Sequence, residues 1–262
     1  LLANIALSII EERYDKWVEH RNARWRDGRP KDGKHAALQR RTQDRHMGRP
    51  VFFPIRYADD FVVLVSGTRA DAEAERNALA AMLRDEMGLE LSEEKTRITR
   101  WTEGIDFLGH RIRMRWDARY GWTPRIEIPK QKQAELRYAV KQLTQRSSLL
   151  LSLPELLERV NPVLRGWANF YRYCTNAKSI LAQLDWYVGD RLWRWMRKKR
   201  PHARVAELER LRQPTRRTNS RRVVWQQAGI EQYIMSSLSV RRYQRGWMRT
   251  PDFAITPGEP SA

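Results

Sequence analysis

The spacing of apolar residues divides the chain into regions of different predicted structure. Over residues 1–19 apolar side chains recur at helical intervals among acidic ones, which predicts a helix with one buried face. Residues 20–50 contain few apolar anchors among Arg, Lys, Gly, Pro and Gln, and this composition predicts an exposed basic loop. After Pro129 the helical spacing returns and persists. Three helices are predicted there, over residues 130–145, 153–173 and 177–199.

Residues 51–66 follow a different pattern and read Val-Phe-Phe-Pro-Ile-Arg-Tyr-Ala-Asp-Asp-Phe-Val-Val-Leu-Val-Ser. Two runs rich in β-branched and aromatic residues flank a short polar centre, which predicts a β-hairpin with both aspartates at its tip. Pro54 indicates that the first strand is weak or lies at a sheet edge. Thr68 then predicts the N-cap of a helix that ends before Gly88.

Short strands are predicted between that helix and the helical region. They cover residues 96–101, 107–116 and 121–128, and the last two are expected to pair with each other. The predicted fold class is therefore α+β. Three parts are predicted: a mixed region over residues 1–128, an all-helical region over 129–215, and a basic, partly flexible extension over 216–262.

The charge of the chain favours a nucleic-acid partner. Its 262 residues carry 50 Lys+Arg against 31 Asp+Glu, a formal net charge of +19. Residues 126–262 hold 26 basic and 11 acidic side chains, whereas residues 1–125 hold 24 and 20. A basic chain could instead bind anionic membrane, but the Arg-rich and Trp-rich segments are dispersed rather than confined to one amphipathic helix. The single cysteine, Cys174, excludes an internal disulfide framework.

Adjacent aspartates between two apolar strands are the main candidate for chemistry. Asp59 and Asp60 repel each other unless a cation compensates them, and carboxylate oxygens are the ligands that Mg²⁺ prefers. An ordinary turn is the alternative, because Asp favours turns through local hydrogen bonds. The hairpin by itself does not decide between these two interpretations.

Five sequence blocks, in order along the chain, carry a resemblance to a known family. They are Leu1-Leu2-Ala3-Asn4-Ile5, Tyr57-Ala58-Asp59-Asp60, Leu91-Ser92-Glu93-Glu94-Lys95-Thr96, Phe107-Leu108-Gly109-His110 and Asn161-Pro162-Val163-Leu164-Arg165-Gly166-Trp167-Ala168-Asn169-Phe170-Tyr171. Together they resemble the reverse transcriptases encoded by group II introns. The second block is similar to polymerase motif C, the fourth to the primer-grip block, and the fifth to the signature of the thumb, or maturase X domain. A retron-like or antiviral reverse transcriptase shares the Asp-Asp hairpin, but the fifth block argues against it.

The resemblance implies roles for the residues of these blocks. Asp59 would be the principal ligand of a two-metal Mg²⁺ site, and Asp60 would have a lesser coordinating or structural role. Tyr57 would lie near the primer terminus or the incoming nucleotide. Lys95 would lie near the triphosphate, with a solvated lysine as the alternative. The primer grip would consist of Phe107, Leu108 and Gly109, for which β-core packing and a simple bend are the alternatives.

The resemblance also implies that the chain is the C-terminal part of a polymerase palm followed by a helical thumb. The fingers and the first metal-binding aspartate of the palm are not found among these residues, so we expect the chain to be inactive without an N-terminal portion. The implied function is RNA-directed DNA polymerase with intron RNA-binding, or maturase, activity. The alternative is a truncated, non-catalytic RNA-binding maturase that assists intron folding and splicing. The implied partners are intron RNA, an RNA template with a DNA primer, and DNA target, in a cytoplasmic ribonucleoprotein of bacterial type without membrane contact.

Basic residues of the second half are predicted to contact nucleic acid, with a solvated charged face as the alternative. They concentrate at the end of the third predicted helix, where positive charge also suits the helix dipole. The predicted set is Arg165, Arg172, Arg191, Arg194, Arg197, Lys198, Lys199, Arg200, Arg216, Arg217, Arg221 and Arg222. Most aromatic residues of this half are expected to lie in the core, because helices must bury an apolar face.

Overall fold

The computed structural model describes residues 7–18, 36–92, 94–215 and 222–240 of the chain. Helices and strands both contribute to it, so the predicted α+β class is confirmed. The contacts divide the chain into two compact units, residues 1–100 and 101–262. Each unit has an apolar core of its own. The sequence predicts domain boundaries after residues 128 and 215, and these boundaries remain predictions.

The first unit consists of helices and one β-hairpin. Its described elements are α1 (Ser8–Arg13), a 3₁₀ turn (Asp15–Trp17), α2 (Ala36–His46), β1 (Val51–Tyr57), β2 (Asp60–Ser66) and α3 (Arg69–Met87). The strands β1 and β2 pair antiparallel over their full lengths, which confirms the predicted hairpin. Phe52 of β1 is buried with Leu79 and Leu83 of α3, so the hairpin lies on a helical support.

Helix α3 begins and ends as its sequence predicts. The Thr68 side chain accepts a hydrogen bond from the amide of Asp71, whose carboxylate accepts one from the Thr68 amide, and the two bonds form a capping box. Gly88 ends the helix with a φ of 64°, a left-handed conformation that glycine adopts without steric cost. The Glu75 carboxylate ties α3 to the first helix, because it accepts a hydrogen bond from Arg13 at 2.6 Å.

The predicted exposed loop over residues 20–50 is wrong for residues 36–46, which form helix α2. This helix has no apolar stripe, and Ala37 is its one buried residue among those described. Polar contacts hold it in place. The Trp17 indole donates to Asp44 at 2.9 Å, and Arg41 donates to the Trp17 carbonyl. Contacts between residues so far apart leave no periodic pattern in the sequence, so the helix could not be predicted from spacing. Residues 20–35 of the predicted loop lie outside the described part of the chain.

The second unit begins with a three-stranded antiparallel sheet. Its strands are β3 (Ile105–Phe107), β4 (His110–Asp117) and β5 (Gly121–Glu127), in that order. The predicted pairing of the last two is confirmed. The strand predicted over residues 96–101 does not form. The Met114 amide does donate to the Trp101 carbonyl at 2.8 Å, so this segment meets β4 at one point without building a ladder.

Three long helices and a small C-terminal sheet complete the second unit. The helices α4 (Lys130–Leu143), α5 (Leu153–Tyr171) and α6 (Ala177–Lys199) match the predicted ones to within a turn. They are followed by α7 (Val205–Glu209), β6 (Arg212–Pro214), β7 (Val223–Gln227), β8 (Ile230–Glu231) and a 3₁₀ turn (Met235–Ser237). Trp225 and Met235 are 1% and 0% exposed, so the C-terminal segment, residues 222–240, is folded into the helical core. Residues 216–221 and 241–262 lie outside the described residues.

Among the described helices, none is both long enough and apolar enough to cross a membrane.

Candidate active site and nucleic-acid surface

Asp59 and Asp60 lie where β1 turns into β2. Ala58 and Asp59 form a two-residue loop between the paired residues Tyr57 and Asp60. Ala58 has a φ of 56°, and a positive φ at the first loop position matches the twist of the two flanking strands. This conformation is uncommon for residues other than glycine, and functional sites are where such backbone strain concentrates.

Arg56 supports the turn from the strand that precedes it. Its guanidinium donates to the Ala58 carbonyl at 3.1 Å and to the Glu11 carboxylate of α1 at 3.2 Å. The Arg56 side chain is only 10% exposed, so the base of the turn is fixed to the body of the unit. Sequence reasoning missed this pair, because its members are 45 positions apart.

Both carboxylates of the turn are exposed. Neither the Asp59 nor the Asp60 side chain makes a hydrogen bond or ion pair with a described residue, so the carboxylate oxygens are available to a hard cation such as Mg²⁺. Within the described ranges, no group of three or more His, Cys, Asp or Glu side chains could hold a metal ion. A metal bound at the turn would therefore need ligands in addition to this pair.

Tyr57 and Lys95 differ in how they relate to the carboxylates. Tyr57 ends β1, pairs with Asp60, and is 66% exposed. Lys95 lies in an exposed turn, where its amide donates to the Ser92 carbonyl at 3.2 Å. Its side chain makes no ion pair with a described carboxylate. The hairpin thus places Tyr57 beside the two aspartates. That Lys95 lies near the triphosphate remains a prediction.

A second strained turn carries the block that resembles a primer grip. Phe107 pairs with His110, and Leu108 and Gly109 form the loop between them. Their φ angles are 49° and 75°, so both loop residues are left-handed, as a type I′ turn requires. A leucine in this region is a genuine outlier, and the Leu108 side chain is 40% exposed. The turn presents an apolar side chain and a glycine outside the core, so core packing does not account for Leu108.

The signature helix α5 packs directly against this turn. The Tyr171 hydroxyl donates to the Gly109 carbonyl at 3.2 Å. The His110 ring lies 4.9 Å from Phe170 and 5.3 Å from Tyr171, measured between ring centroids. Burial raises the pKa of the Tyr171 hydroxyl to about 12, so the hydroxyl keeps its proton at neutral pH. Two blocks that are more than 50 positions apart in the sequence therefore form one structural feature.

We expect Gly109→Ala to destabilise the second unit by about 1–2 kcal/mol, because an alanine is strained at a positive φ. A Cβ at this position would meet Tyr171 and Phe170 at ordinary van der Waals distances, so the cost is conformational rather than steric. Gly109→Asn should cost less, because asparagine tolerates the left-handed region. Urea unfolding followed by far-ultraviolet circular dichroism measures both variants.

The matched control for this prediction is Gly189→Ala in helix α6, where a Cβ would meet nothing within 4 Å. Alanine there should raise stability by about 0.5–1 kcal/mol, because glycine disfavours a helix interior. An equal effect of alanine at both glycines would contradict the assignment of a strained turn at Gly109.

Three of the predicted nucleic-acid contacts donate partly buried hydrogen bonds inside the second unit. Arg191 donates to the Thr144 carbonyl at 3.1 Å and thereby satisfies the C-terminal end of α4. Lys199 donates to the Leu149 carbonyl at 2.7 Å. Arg222 lies 3.4 Å from the carboxylate of Asp185. These cations support the fold, and any additional contact of theirs with nucleic acid stays a prediction.

Four other members of the predicted set are exposed at the C-terminal end of α6. They are Arg194, Arg197, Lys198 and Arg200. Arg194 pairs with Asp190 at 3.0 Å, one helical turn away, but an exposed pair of this kind contributes little and leaves the cation accessible. The structure therefore brings four cations together on one solvent-facing helix end.

The remaining predicted basic residues lie elsewhere. Arg165 is exposed on α5, and its guanidinium lies 5.5 Å from the centroid of the Tyr233 ring. Arg172 donates to the Ser239 carbonyl at 3.0 Å. Outside the described residues are Arg216, Arg217 and Arg221.

Aromatic side chains of the helical part divide between core and surface. Trp195 and Tyr171 are 1% and 4% exposed, in agreement with the expected core role. Trp186 and Phe170 are 75% and 54% exposed, so the core interpretation fails for these two rings.

A buried carboxylate that sequence reasoning missed fastens the C-terminal segment to α6. Asp185 accepts hydrogen bonds from the amides of Met235 and Ser236, at 2.8 and 2.9 Å, and from the Ser236 hydroxyl. Burial raises the pKa of the Asp185 carboxyl, while these hydrogen bonds act in the opposite direction. No feature of the sequence around Asp185 distinguishes it from an exposed helical aspartate.

Comparison with known proteins identifies two domains along the chain. Residues 37–112 match the reverse transcriptase (RNA-dependent DNA polymerase) family, and residues 133–226 match the maturase-specific domain of group II introns. The first match includes both strained turns, and the second includes the signature helix and most of β7.

Two curated relatives were also found. Protein YkfC of Escherichia coli (strain K12) is 33% identical over 137 residues, which are 50% of this chain and 35% of YkfC. The group II intron-encoded protein LtrA of Lactococcus lactis subsp. cremoris is 41% identical over 61 residues, which are 23% of this chain and 10% of LtrA. The matched part of the chain thus spans about a third of the first relative and a tenth of the second. With its reverse transcriptase and maturase-specific domains in this order, the chain belongs to the family of group II intron-encoded reverse transcriptases and maturases.

Proposed function

We propose that the chain contributes to an RNA-directed DNA polymerase that also binds intron RNA. The observation that carries the proposal is the Tyr57–Asp60 turn, whose two carboxylates are exposed and have no partner among the described residues. A protein gains nothing in stability from adjacent unpaired carboxylates, so their placement on a fixed, strained turn points to a ligand. The turn lies within the span that matches reverse transcriptases.

Asp59 and Asp60 would hold Mg²⁺, with Asp59 as the principal ligand. The bound metal would supply a Lewis acid that stabilises charge on the reacting phosphate and activates the 3′-hydroxyl of the primer. A complete two-metal site needs a further carboxylate, which the family resemblance assigns to another aspartate of the palm. This chain's contribution is to fix the direction of its two carboxylates through Arg56 and the hairpin.

The other residues that the family resemblance singles out would position the substrates. Tyr57, exposed beside Asp60, would contact the primer terminus or the incoming nucleotide. Lys95 would offset the charge of the triphosphate. The turn at Leu108 and Gly109 would support the primer strand, since it presents an apolar side chain held in place by α5.

The test is primer extension on an RNA template in the presence of Mg²⁺. The chain would be completed, in cis or in trans, by a segment that supplies the remaining palm carboxylate. DNA synthesis that depends on both the RNA template and this chain is the expected result. Absence of synthesis from the completed protein, with intron RNA still bound, would instead support the second candidate function.

That second candidate is a non-catalytic maturase that binds intron RNA in a ribonucleoprotein and assists splicing. The observation that favours it is the charge of residues 126–262, which carry 26 basic and 11 acidic side chains. Both candidates share the basic end of α6 as a phosphate-binding surface. DNA target would be a further partner of the polymerase and not of the maturase alone.

We expect the triple variant Arg194→Gln, Arg197→Gln and Lys198→Gln to weaken RNA binding and to flatten its dependence on salt. Each lost phosphate contact removes about one released counterion, so the slope of log Kd against log salt should fall by roughly 2–3. Fluorescence anisotropy with a labelled intron RNA, over a series of KCl concentrations, measures both quantities.

The matched control neutralises three exposed arginines of α3, namely Arg69, Arg76 and Arg84. This control removes the same charge from the chain but leaves α6 intact. Its slope should stay within about one unit of the unmodified protein. Equal slopes for the two triple variants would mean that net charge, and not the end of α6, controls the affinity.

A further inference from the structure

Three tryptophans meet at the outer end of the β3–β4–β5 sheet. Trp122 of β5 lies between the other two, with ring centroids 4.7 Å from Trp101 and 5.8 Å from Trp116. Both pairs are edge-to-face, with interplanar angles of 63° and 77°, so the central ring fixes the outer rings. Trp101 and Trp116 are nevertheless 44% and 65% exposed. The sheet thus presents rigid aromatic surface to solvent.

Hydrogen bonds from its own amides to Asp117 hold the loop at this end of the sheet, residues 118–120. The Asp117 carboxylate accepts hydrogen bonds from the amides of Arg119 and Tyr120 at 3.0 and 3.3 Å. These bonds, and the Arg125 guanidinium at 2.7 Å, lower the pKa of the Asp117 carboxyl. Tyr120 is 68% exposed, so this loop adds a fourth aromatic ring to the exposed surface.

The segment that carries these rings is basic. Residues 111–125 contain five arginines and one acidic residue, Asp117, which is already paired with Arg125. Arg119 forms no ion pair among the described residues, and its guanidinium lies 5.3 Å from the centroid of the Tyr120 ring. Arg115 precedes Trp116 in β4, so its side chain lies on the other face of the sheet, toward Glu127. On the face of the rings and their loop, Arg119 is therefore the cation that lies beside an exposed aromatic ring.

We propose that this end of the sheet, comprising Trp101, Trp116, Arg119 and Tyr120, binds unpaired RNA. Exposed rings offer stacking faces to bases, and Arg119 can contact a phosphate that links those bases. Bases within a duplex are already stacked on each other, so the surface selects single strands. The assignment of RNA, and not DNA, rests on the proposed function, in which the template and the intron are RNA.

The surface is separate from the primer-grip turn. Strand β4 runs from His110 beside that turn to Asp117 at the tryptophan end. Seven residue steps of about 3.3 Å place the two ends roughly 23 Å apart. An RNA strand held here is therefore held several nucleotides away from the site at the primer-grip turn.

The test compares the full chain with Trp116→Ala/Tyr120→Ala by fluorescence anisotropy. The probes are a labelled 12-nucleotide oligoadenylate and a 12-base-pair RNA duplex. Stacking on one ring contributes about tenfold in affinity, so the double variant should lose at least tenfold for the single strand. Its affinity for the duplex should change less than about threefold. Trp116→Phe/Tyr120→Phe should recover most of the loss, because phenylalanine rings still stack.

Tyr138→Ala is the matched control, because Tyr138 is 63% exposed on α4 and outside the surface. Photocrosslinking with 5-iodouridine in an oligouridylate, read by mass spectrometry, should label Trp116 or Tyr120 in the unmodified chain. Equal single-strand affinity of the double variant and the Tyr138 variant, without that label, would overturn the proposal and leave the proposed function standing. A chain that binds neither single-stranded nor duplex RNA would overturn both. Loss of a dimer in the double variant, with RNA affinity unchanged, would reassign the surface to a protein partner.

Discussion

Replacing Asp59 by asparagine is expected to reduce RNA-templated DNA synthesis by the completed protein at least a thousandfold. Asparagine keeps the size of the side chain but removes the charge that a metal ligand needs. Loss of a single stabilising group at a transition state already costs about a hundred- to a thousandfold, and loss of a metal ligand should cost no less. Primer extension under single-turnover conditions measures the rate. Asp60→Asn should give a smaller reduction, since Asp60 belongs to the paired strand and not to the loop.

Asp85→Asn is the control for this prediction. Asp85 is exposed on α3 in the same unit, so its substitution removes the same charge away from the turn. Its extension rate and its RNA affinity should match those of the unmodified protein. The Asp59 variant should also bind RNA normally, because its carboxylate has no structural partner among the described residues. A loss of RNA affinity or of fold in that variant would show that the carboxylate is structural.

The hairpin and its tip could be predicted because their signals are local. Two runs rich in β-branched and aromatic residues define two strands, and the polar centre between them leaves only one place for the turn. The capping box at Thr68 and the glycine at position 88 likewise lie within a few residues of the helix ends that they determine. Each of these features depends on residues that are close to it in the sequence.

Features held together by distant residues could not be predicted in the same way. Helix α2 depends on Trp17 and Asp44, and the carboxylate turn depends on Glu11 through Arg56. Arg191 and Lys199 were predicted to bind phosphate because the sequence shows only their positive charge. In the structure, Arg191 donates to the Thr144 carbonyl and Lys199 to the Leu149 carbonyl. The sequence shows the chemical type of each side chain but not its partner in the folded chain.

The second large effect is expected from Asp185→Ala, which should destabilise the second unit by about 3–5 kcal/mol. The substitution leaves the amides of Met235 and Ser236 and the Ser236 hydroxyl without their buried acceptor. Each buried donor that loses its acceptor costs about 1–3 kcal/mol, so the lost hydrogen bonds together account for a cost of this size. Asp185→Asn should cost less, about 1–3 kcal/mol, because one acceptor oxygen remains. Urea unfolding of the full chain measures the change in free energy.

Asp190→Ala separates this effect from the loss of any aspartate on α6. Asp190 pairs with Arg194 at the surface, so its removal should change stability by no more than about 0.5 kcal/mol. Hydrogen exchange then locates the effect, because the Met235 and Ser236 amides are expected to exchange at least a hundredfold faster in the Asp185 variant. Unchanged protection of these two amides would mean that Trp225 and Met235, through apolar burial alone, hold the C-terminal segment. In that case the maturase-specific domain would depend on its aromatic core and not on a buried carboxylate.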